Sequence, residues 1–285
     1  MRRLADSING SVCGSKYASA MAASDIETSS RDAKAEFPGV WYGLASDDHV
    51  WVHARFNFLL REARRLGLDP EIPRLGLDIG CGHGAVQRQL ASRTAWFADG
   101  CDLNRDALAL NSGHRGRVLF YDILQRDPKL EAHFDFLVLF DVIEHVADAP
   151  RFLAAAAHHL KPGGYAFVNV PALPSLFSKY DVVQGHVRRY DKHSLKEHLL
   201  AGGFELCSMR YWGLSMLPLA YARKAYVRWR HDPSDIMTAG FQPPGRIATR
   251  LMAAALAAEA RWLGAAPAGT SLLAIARKPA LRAGS

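Results

Sequence analysis

The chain has 285 residues, 49% of them hydrophobic and 22% charged, long enough for a sizeable core and too apolar to be mainly disordered. Its 35 Lys+Arg exceed its 28 Asp+Glu by seven, and the surplus is regional. Residues 1–72 carry 9 basic and 10 acidic side chains, 73–171 carry 10 and 11, and 172–285 carry 16 and 7, so the last stretch holds +9. The four cysteines form no CxxC pair and have no metal-ligand spacing to His, which argues against a disulfide framework or structural zinc and for a reducing compartment. No apolar run approaches the ~20 residues of a membrane span, and no apolar region follows Arg2 and Arg3 as a secretory leader requires. A cytoplasmic protein is expected.

Residues 1–37 read as a polar, poorly ordered tail and 38–280 as one domain. Residues 41–66 have helical spacing, with Trp41, Trp51 and Phe56 on offer either to the core or to a ligand. A strand/helix alternation follows. Strands are expected at 75–79, 95–102, 117–121, 134–140 and 165–170, and helices at 85–93, 105–111 and 149–160. The 134–140 run is almost wholly apolar, as a strand buried on both faces must be. Lys161-Pro-Gly-Gly164 is a strong helix stop. This rhythm implies βαβ units and an α/β, doubly wound, mostly parallel sheet, with ligands outside the carboxyl ends of its strands. Past Pro171 come a polar loop at 174–190, a helix at 192–200, a strand from Phe204, a mostly helical insertion at 211–268 and a last strand at 271–276.

The sharpest signal is Asp78-Ile79-Gly80-Cys81-Gly82-His83-Gly84, a strand ending in a glycine-rich turn that opens a helix. Such a turn lets a cofactor approach the backbone without Cβ collisions, at the positive end of the helix. Its G-x-G-x-G spacing is tighter than the dinucleotide fingerprint, which disfavours a nicotinamide oxidoreductase. Asp102 ends the second strand, where a carboxylate can take two ribose hydroxyls, and Asp122 and Asp141 follow the next two strands. Cys81 and His83 contribute backbone and packing.

These residues resemble a class I S-adenosylmethionine-dependent methyltransferase over about residues 40–280. Asp78–Gly84 is similar to the family's first motif, Asp102-Leu103 to its ribose-binding acidic position, and Tyr121-Asp122-Ile123 to its adenine-side loop. Phe140-Asp-Val-Ile-Glu-His145 and Leu160-Lys-Pro-Gly-Gly164 are similar to the branch acting on small molecules and lipids, including ubiquinone-biosynthesis methyltransferases. The resemblance implies a Rossmann-like, seven-stranded sheet with one antiparallel edge strand. It also implies S-adenosylmethionine bound by Asp78, Gly80, Cys81, Gly82, Gly84, Asp102, Leu103, Asp122, Ile123 and Phe140. The expected activity is methyl transfer to a small-molecule or lipid-like acceptor, at oxygen by preference. The rival class is a non-catalytic protein that binds the donor or S-adenosylhomocysteine.

Methyl transfer from a sulfonium needs alignment above all, and a base only where an acceptor proton must leave. His145 reads as that base, as a member with Asp141 and Glu144 of a metal site, or as a packing residue. His186, Arg188 and Tyr190 of Gly185-His-Val-Arg-Arg-Tyr190 read as acceptor-side groups, with an arginine on an anionic substituent. Alternatively an arginine anchors the loop to Asp181 or Asp191 and Tyr190 staples the next helix. In the basic third, 217–230 and 247–263 are amphipathic, with Ile247, Leu251, Ala255, Ala258 and Trp262 in a stripe beside Arg246, Arg250 and Arg261. They read as helices covering the sheet, as a peripheral membrane contact, or as an acidic-substrate site. No nucleic-acid-binding motif accompanies the charge, so nucleic acid is not an expected partner.

Overall fold

The computed structural model describes residues 26–28, 49–232, 236, 245–262 and 265–280. Most of the expected 1–37 tail, and Trp41, lie outside the described residues. The first half runs β1 (Glu27–Thr28), α1 (Val50–Arg65), β2 (Leu75–Ile79), α2 (Ala85–Arg93), β3 (Phe97–Asp102), α3 (Arg105–Ala109) and β4 (Val118–Phe120). Then come β5 (Phe134–Phe140), α4 (Ala149–His159), β6 (Leu160–Pro171), α5 (Lys179–Val183), α6 (Lys192–Ala201) and β7 (Glu205–Trp212). Helices α7 (Leu217–Arg228) and α8 (Gly245–Trp262) precede β8 (Ser271–Arg277).

The strands form one sheet in the order β1-β4-β3-β2-β5-β6-β8-β7, in which only β8 is antiparallel to its neighbours. This is the expected doubly wound, Rossmann-like α/β architecture, with two refinements. An eighth strand arises because Glu27–Thr28, inside the expected tail, pairs with β4. The reversed strand, β8, is inserted between β6 and β7, so β7 is outermost.

Strand β5 shows how the sequence builds two cores. Leu137 and Leu139 pack into a cluster with Leu153 of α4 and Leu195 and Leu199 of α6. Phe136, Val138 and Phe140 point the other way, into a cluster with Phe56 and Leu59 of α1, Leu90 of α2 and Leu256 of α8. That is the period-2 alternation of a strand covered on both faces. Helix starts follow local chemistry: Asp148 accepts from Arg151 N at 3.1 Å and Asp191 from Ser194 N at 2.8 Å, each satisfying an orphan amide. The Lys161–Gly164 stop ends α4 as expected, but β6 already begins at Leu160. Its ladder jumps from Phe134↔Leu160 to Phe136↔Tyr165, so the Pro-Gly-Gly segment is absorbed as an irregularity of the strand.

Strand β2 lies between β3 and β5, and its two neighbours are reached in opposite directions along the sheet. The loops after β2 and β5 therefore part, and a crevice opens at their carboxyl ends.

Candidate active site

The glycine loop is the crevice's first wall. Gly80 and Gly84 have φ of +73° and +85°, a region that side chains adopt at a cost of roughly 1–2 kcal/mol. A Cβ on Gly80 would lie 2.8 Å from Val142 Cγ2, and one on Gly84 only 1.9 Å from Asn111 Oδ1. The loop is pinned from β3: the amides of Gly80 and Cys81 donate to Cys101 O, and Gly82 N donates to Asp102 Oδ2 at 2.9 Å. Cys81 is buried beneath it, its thiol accepting from Asn111 Nδ2 at 3.6 Å and donating to Gly82 O. Helix α2 starts at once after Gly84 and aims its first amides at the loop.

Asp78 is buried in β2, and among the described residues its Oδ2 has no hydrogen-bond partner. Burial raises its carboxyl to about 7, the Arg55 cation opposing and Asp102 reinforcing the shift. Asp102 is also raised by burial, against the pull of the Asn104, Gly82 and Leu103 amides. At the end of β4, Asp122 accepts from Leu124 N at 2.9 Å, and Ile123 is buried in the core. Leu103 is half-buried beside Asp102, and Phe140 is buried under the Arg55 guanidinium, 4.7 Å from its ring centroid.

A polar chain crosses the floor of the crevice. Arg55 of α1 pairs with Asp141, Asn169 Nδ2 donates to Asp141 Oδ1 at 2.7 Å, and Trp212 Nε1 donates to Asn169 Oδ1 at 2.8 Å. Asp141 sits at φ +57°, strained for a residue with a side chain, and its two partners, Arg55 and Asn169, hold it there. Trp51 packs on Trp212 with centroids 4.2 Å apart, and Phe56 is wholly buried, so both serve the core. Sequence reasoning missed Arg55, Asn169 and Trp212. The one legible sign was Asn169, a polar residue inside an apolar strand.

The segments after β5 and β6 meet over the crevice mouth. Glu144 is buried, and neither of its carboxylate oxygens receives a hydrogen bond from another described residue. Burial, with the Asp141 charge, pushes its carboxyl well up despite Arg55 and Arg189. The His145 and His186 rings meet edge to face at 4.7 Å. His145 Nδ1 lies 3.2 Å from Gly185 O and must donate to it, leaving Nε2 as the lone-pair nitrogen. His186 Nδ1 lies 3.0 Å from Asp181 Oδ1, a contact that fixes the same tautomer in the neutral ring. Burial and the neighbouring His186 lower His145 to about 4, so it is neutral at physiological pH.

One atom from each of Glu144, His145 and His186 lies within 4.8 Å of the others, a spacing suited to a metal ion. This cluster differs in one member from the metal grouping expected from sequence. Asp141 is committed to Arg55 and Asn169, and His186 from the later loop takes its place.

Two acceptor-side candidates make anchoring contacts within the protein. Tyr190 has no exposed surface and donates to Ile143 O at 3.2 Å, which removes it from contact with an acceptor. Arg188 Nη2 donates to Ala147 O at 2.6 Å, tying the later loop to the segment after β5. The buried ion pair is made by its neighbour: Arg189 Nε donates to Asp181 Oδ1 at 2.6 Å and Arg189 Nη1 to Ala172 O.

With this geometry in view, the sequence profile of a family described as "Methyltransferase domain" matches residues 51–209. The chain belongs to that family. The matched region is a class I S-adenosylmethionine-dependent methyltransferase domain, whose cofactor is S-adenosylmethionine. An orphaned buried carboxylate, a loop that admits no Cβ and a ribose-side aspartate all fit that cofactor. The chain is 32% identical over 132 residues to "Ubiquinone biosynthesis O-methyltransferase" of Thiobacillus denitrificans, covering 42% of this chain and 56% of that protein. It is 29% identical over 168 residues to the protein of the same name in Sinorhizobium medicae, covering 51% and 68%. It spans about half the length of most such relatives. Solved structures share the fold: the [4+2]-cyclase SpnF at TM-score 0.53 and 20% identity, covering 83% of this chain and 86% of its own. A putative sarcosine dimethylglycine methyltransferase from Galdieria sulphuraria has TM-score 0.53 and 14% identity, covering 79% and 86%. A cyclase among them is a reminder that fold does not fix the reaction.

Proposed function

We propose that the crevice moves the methyl group of S-adenosylmethionine onto a hydroxyl oxygen of a small, lipid-like acceptor. The observation that carries this reading is the His186–Asp181 pair at the crevice mouth, beside neutral His145. The name of the relatives, which describes O-methylation in ubiquinone biosynthesis, agrees with it. On this reading the Gly80–Gly84 loop and the start of α2 receive the methionine end, Asp78 faces its cationic part, and Arg55 its carboxylate. Asp102 takes the ribose hydroxyls, while Leu103, Asp122, Ile123 and Phe140 bound the nucleoside.

The bound donor supplies an activated methyl carbon with a neutral thioether as leaving group. The protein's residues align the acceptor and take its proton. Asp181 holds the His186 Nδ1–H, so His186 Nε2 accepts the hydroxyl proton and Asp181 steadies the resulting imidazolium. A second reading is favoured by the unpartnered Glu144 carboxylate: Glu144, His145 and His186 hold a divalent ion, which would make the acceptor hydroxyl more acidic.

The test is incubation with methyl-labelled donor and a catechol carrying an isoprenoid tail, with product mass spectrometry. One label on oxygen, lost in His186→Asn, supports the base reading. Activity abolished by chelator and restored by a divalent ion selects the metal reading. Tight donor binding with no label transferred to any hydroxyl acceptor favours the non-catalytic alternative.

A further inference from the structure

The basic surplus beyond residue 171 has a place in the fold that the methyl-transfer chemistry does not use. Along α8 the exposed positions include Ile247, Leu251, Ala254, Ala258 and Trp262, at spacings of four, three, four and four. At 3.6 residues per turn those spacings align them in one stripe. Ile247 is 78% exposed, Leu251 66% and Trp262 77%. The opposite face carries the buried Leu256 and Glu259, with Glu259 accepting from the amides of Leu214 and Ser215. So α8 covers the core through Leu256, is anchored there by Glu259, and still carries an apolar stripe on its outward face.

Charge completes the pattern. Arg246, Arg250 and Arg261 are exposed and run along one flank of the stripe, and Glu259, the one acid of α8, is turned inward. Helix α7 contains no acid; just beyond it Trp229 is 78% exposed, and the Arg228 guanidinium lies 5.8 Å from its ring centroid. Arg261 stands in the same relation to Trp262 at 5.4 Å. An exposed tryptophan beside an arginine suits the boundary between acyl chains and headgroups, where the ring is half-wet and the guanidinium reaches phosphate. No described helix is long and apolar enough to cross a membrane, so a bilayer would meet this helix only along its surface.

We propose that the outward face of α8 is a docking surface for an anionic lipid bilayer. The proposal holds whatever the acceptor, since none of these residues belongs to the crevice.

The test is co-sedimentation of the full chain with phosphatidylglycerol-containing vesicles and with pure phosphatidylcholine vesicles. Binding is expected to the anionic vesicles only, to weaken with salt, and to shift tryptophan emission to the blue. Arg250→Gln/Arg261→Gln is expected to bind roughly twenty-five-fold more weakly, at about fivefold per arginine near a charged surface. Leu251→Ser/Trp262→Ser is expected to lose the blue shift. Both pairs alter exposed positions, so donor affinity by calorimetry remains at the parent value and reports intact folding. Equal binding to neutral vesicles, no binding to either, or a dimer in light scattering that Leu251→Ser/Trp262→Ser dissolves would overturn the proposal, the last by assigning the face to a second copy of this chain.

Discussion

Replacing Asp78 by Asn separates the cost of the donor site from its use. The carboxyl is raised from 3.8 to about 7 by burial. A raised folded-state value means that the folded protein holds the proton more tightly than the unfolded chain, so stability is lost as pH climbs from the unfolded value through about 7. For a shift of that size the linkage relation gives a loss of about 2.6 kcal/mol between pH 5 and pH 8. Asn carries no titrating proton. In urea unfolding without donor, the stability of Asp78→Asn relative to the parent should therefore rise by about 2–3 kcal/mol over that interval. Donor binding should move the other way. If only the ionised carboxylate receives the cationic donor, the competent fraction grows from about one tenth at pH 6 to nine tenths at pH 8, and the parent's affinity rises about ninefold. Asp78→Asn should bind more weakly than the parent at pH 8 and lose that dependence. A stability difference constant to within about 0.5 kcal/mol from pH 5 to 8 would refute the reasoning.

Gly84→Ala should weaken donor binding and cost at least ~1–2 kcal/mol in urea unfolding, since its Cβ enters Asn111 at φ +85°. Arg55→Ala should destabilise the protein by about 1–3 kcal/mol by leaving Asp141 strained and half-paired, and should raise the donor Kd about tenfold. His145, lowered to about 4, should add no acid limb near pH 6.5 to kcat; a limb there that vanishes in His145→Ala would contradict the neutral-ring assignment. Tyr190→Phe should cost about 1–3 kcal/mol of stability and leave the acceptor KM near the parent value, because its buried hydroxyl bonds Ile143 O and contacts no crevice.

What the sequence determined by itself was the glycine loop and the strand ends around it. The G-x-G-x-G turn, the aspartates at successive strand ends and the apolar run 134–140 are local patterns, and local patterns dictate strand ends, turns and which faces are buried. The polar groups over the crevice were assembled by tertiary structure, since they come from distant segments. Arg55 reaches Asp141 across 86 positions, and His186 joins Glu144 and His145 only because the later loop folds back over the end of β5. Adjacent residues in that loop illustrate the limit: Arg188, Arg189 and Tyr190 are indistinguishable by spacing, yet one ties two loops, one is buried on Asp181 and one seals the core. The direction of α8 is the same lesson on the surface. Its periodicity announced an amphipathic helix, but two opposite faces could satisfy it. Only the packing of Leu256 into the core and the anchoring of Glu259 on Leu214 and Ser215 turned the Ile247–Trp262 stripe, and the arginines beside it, outward.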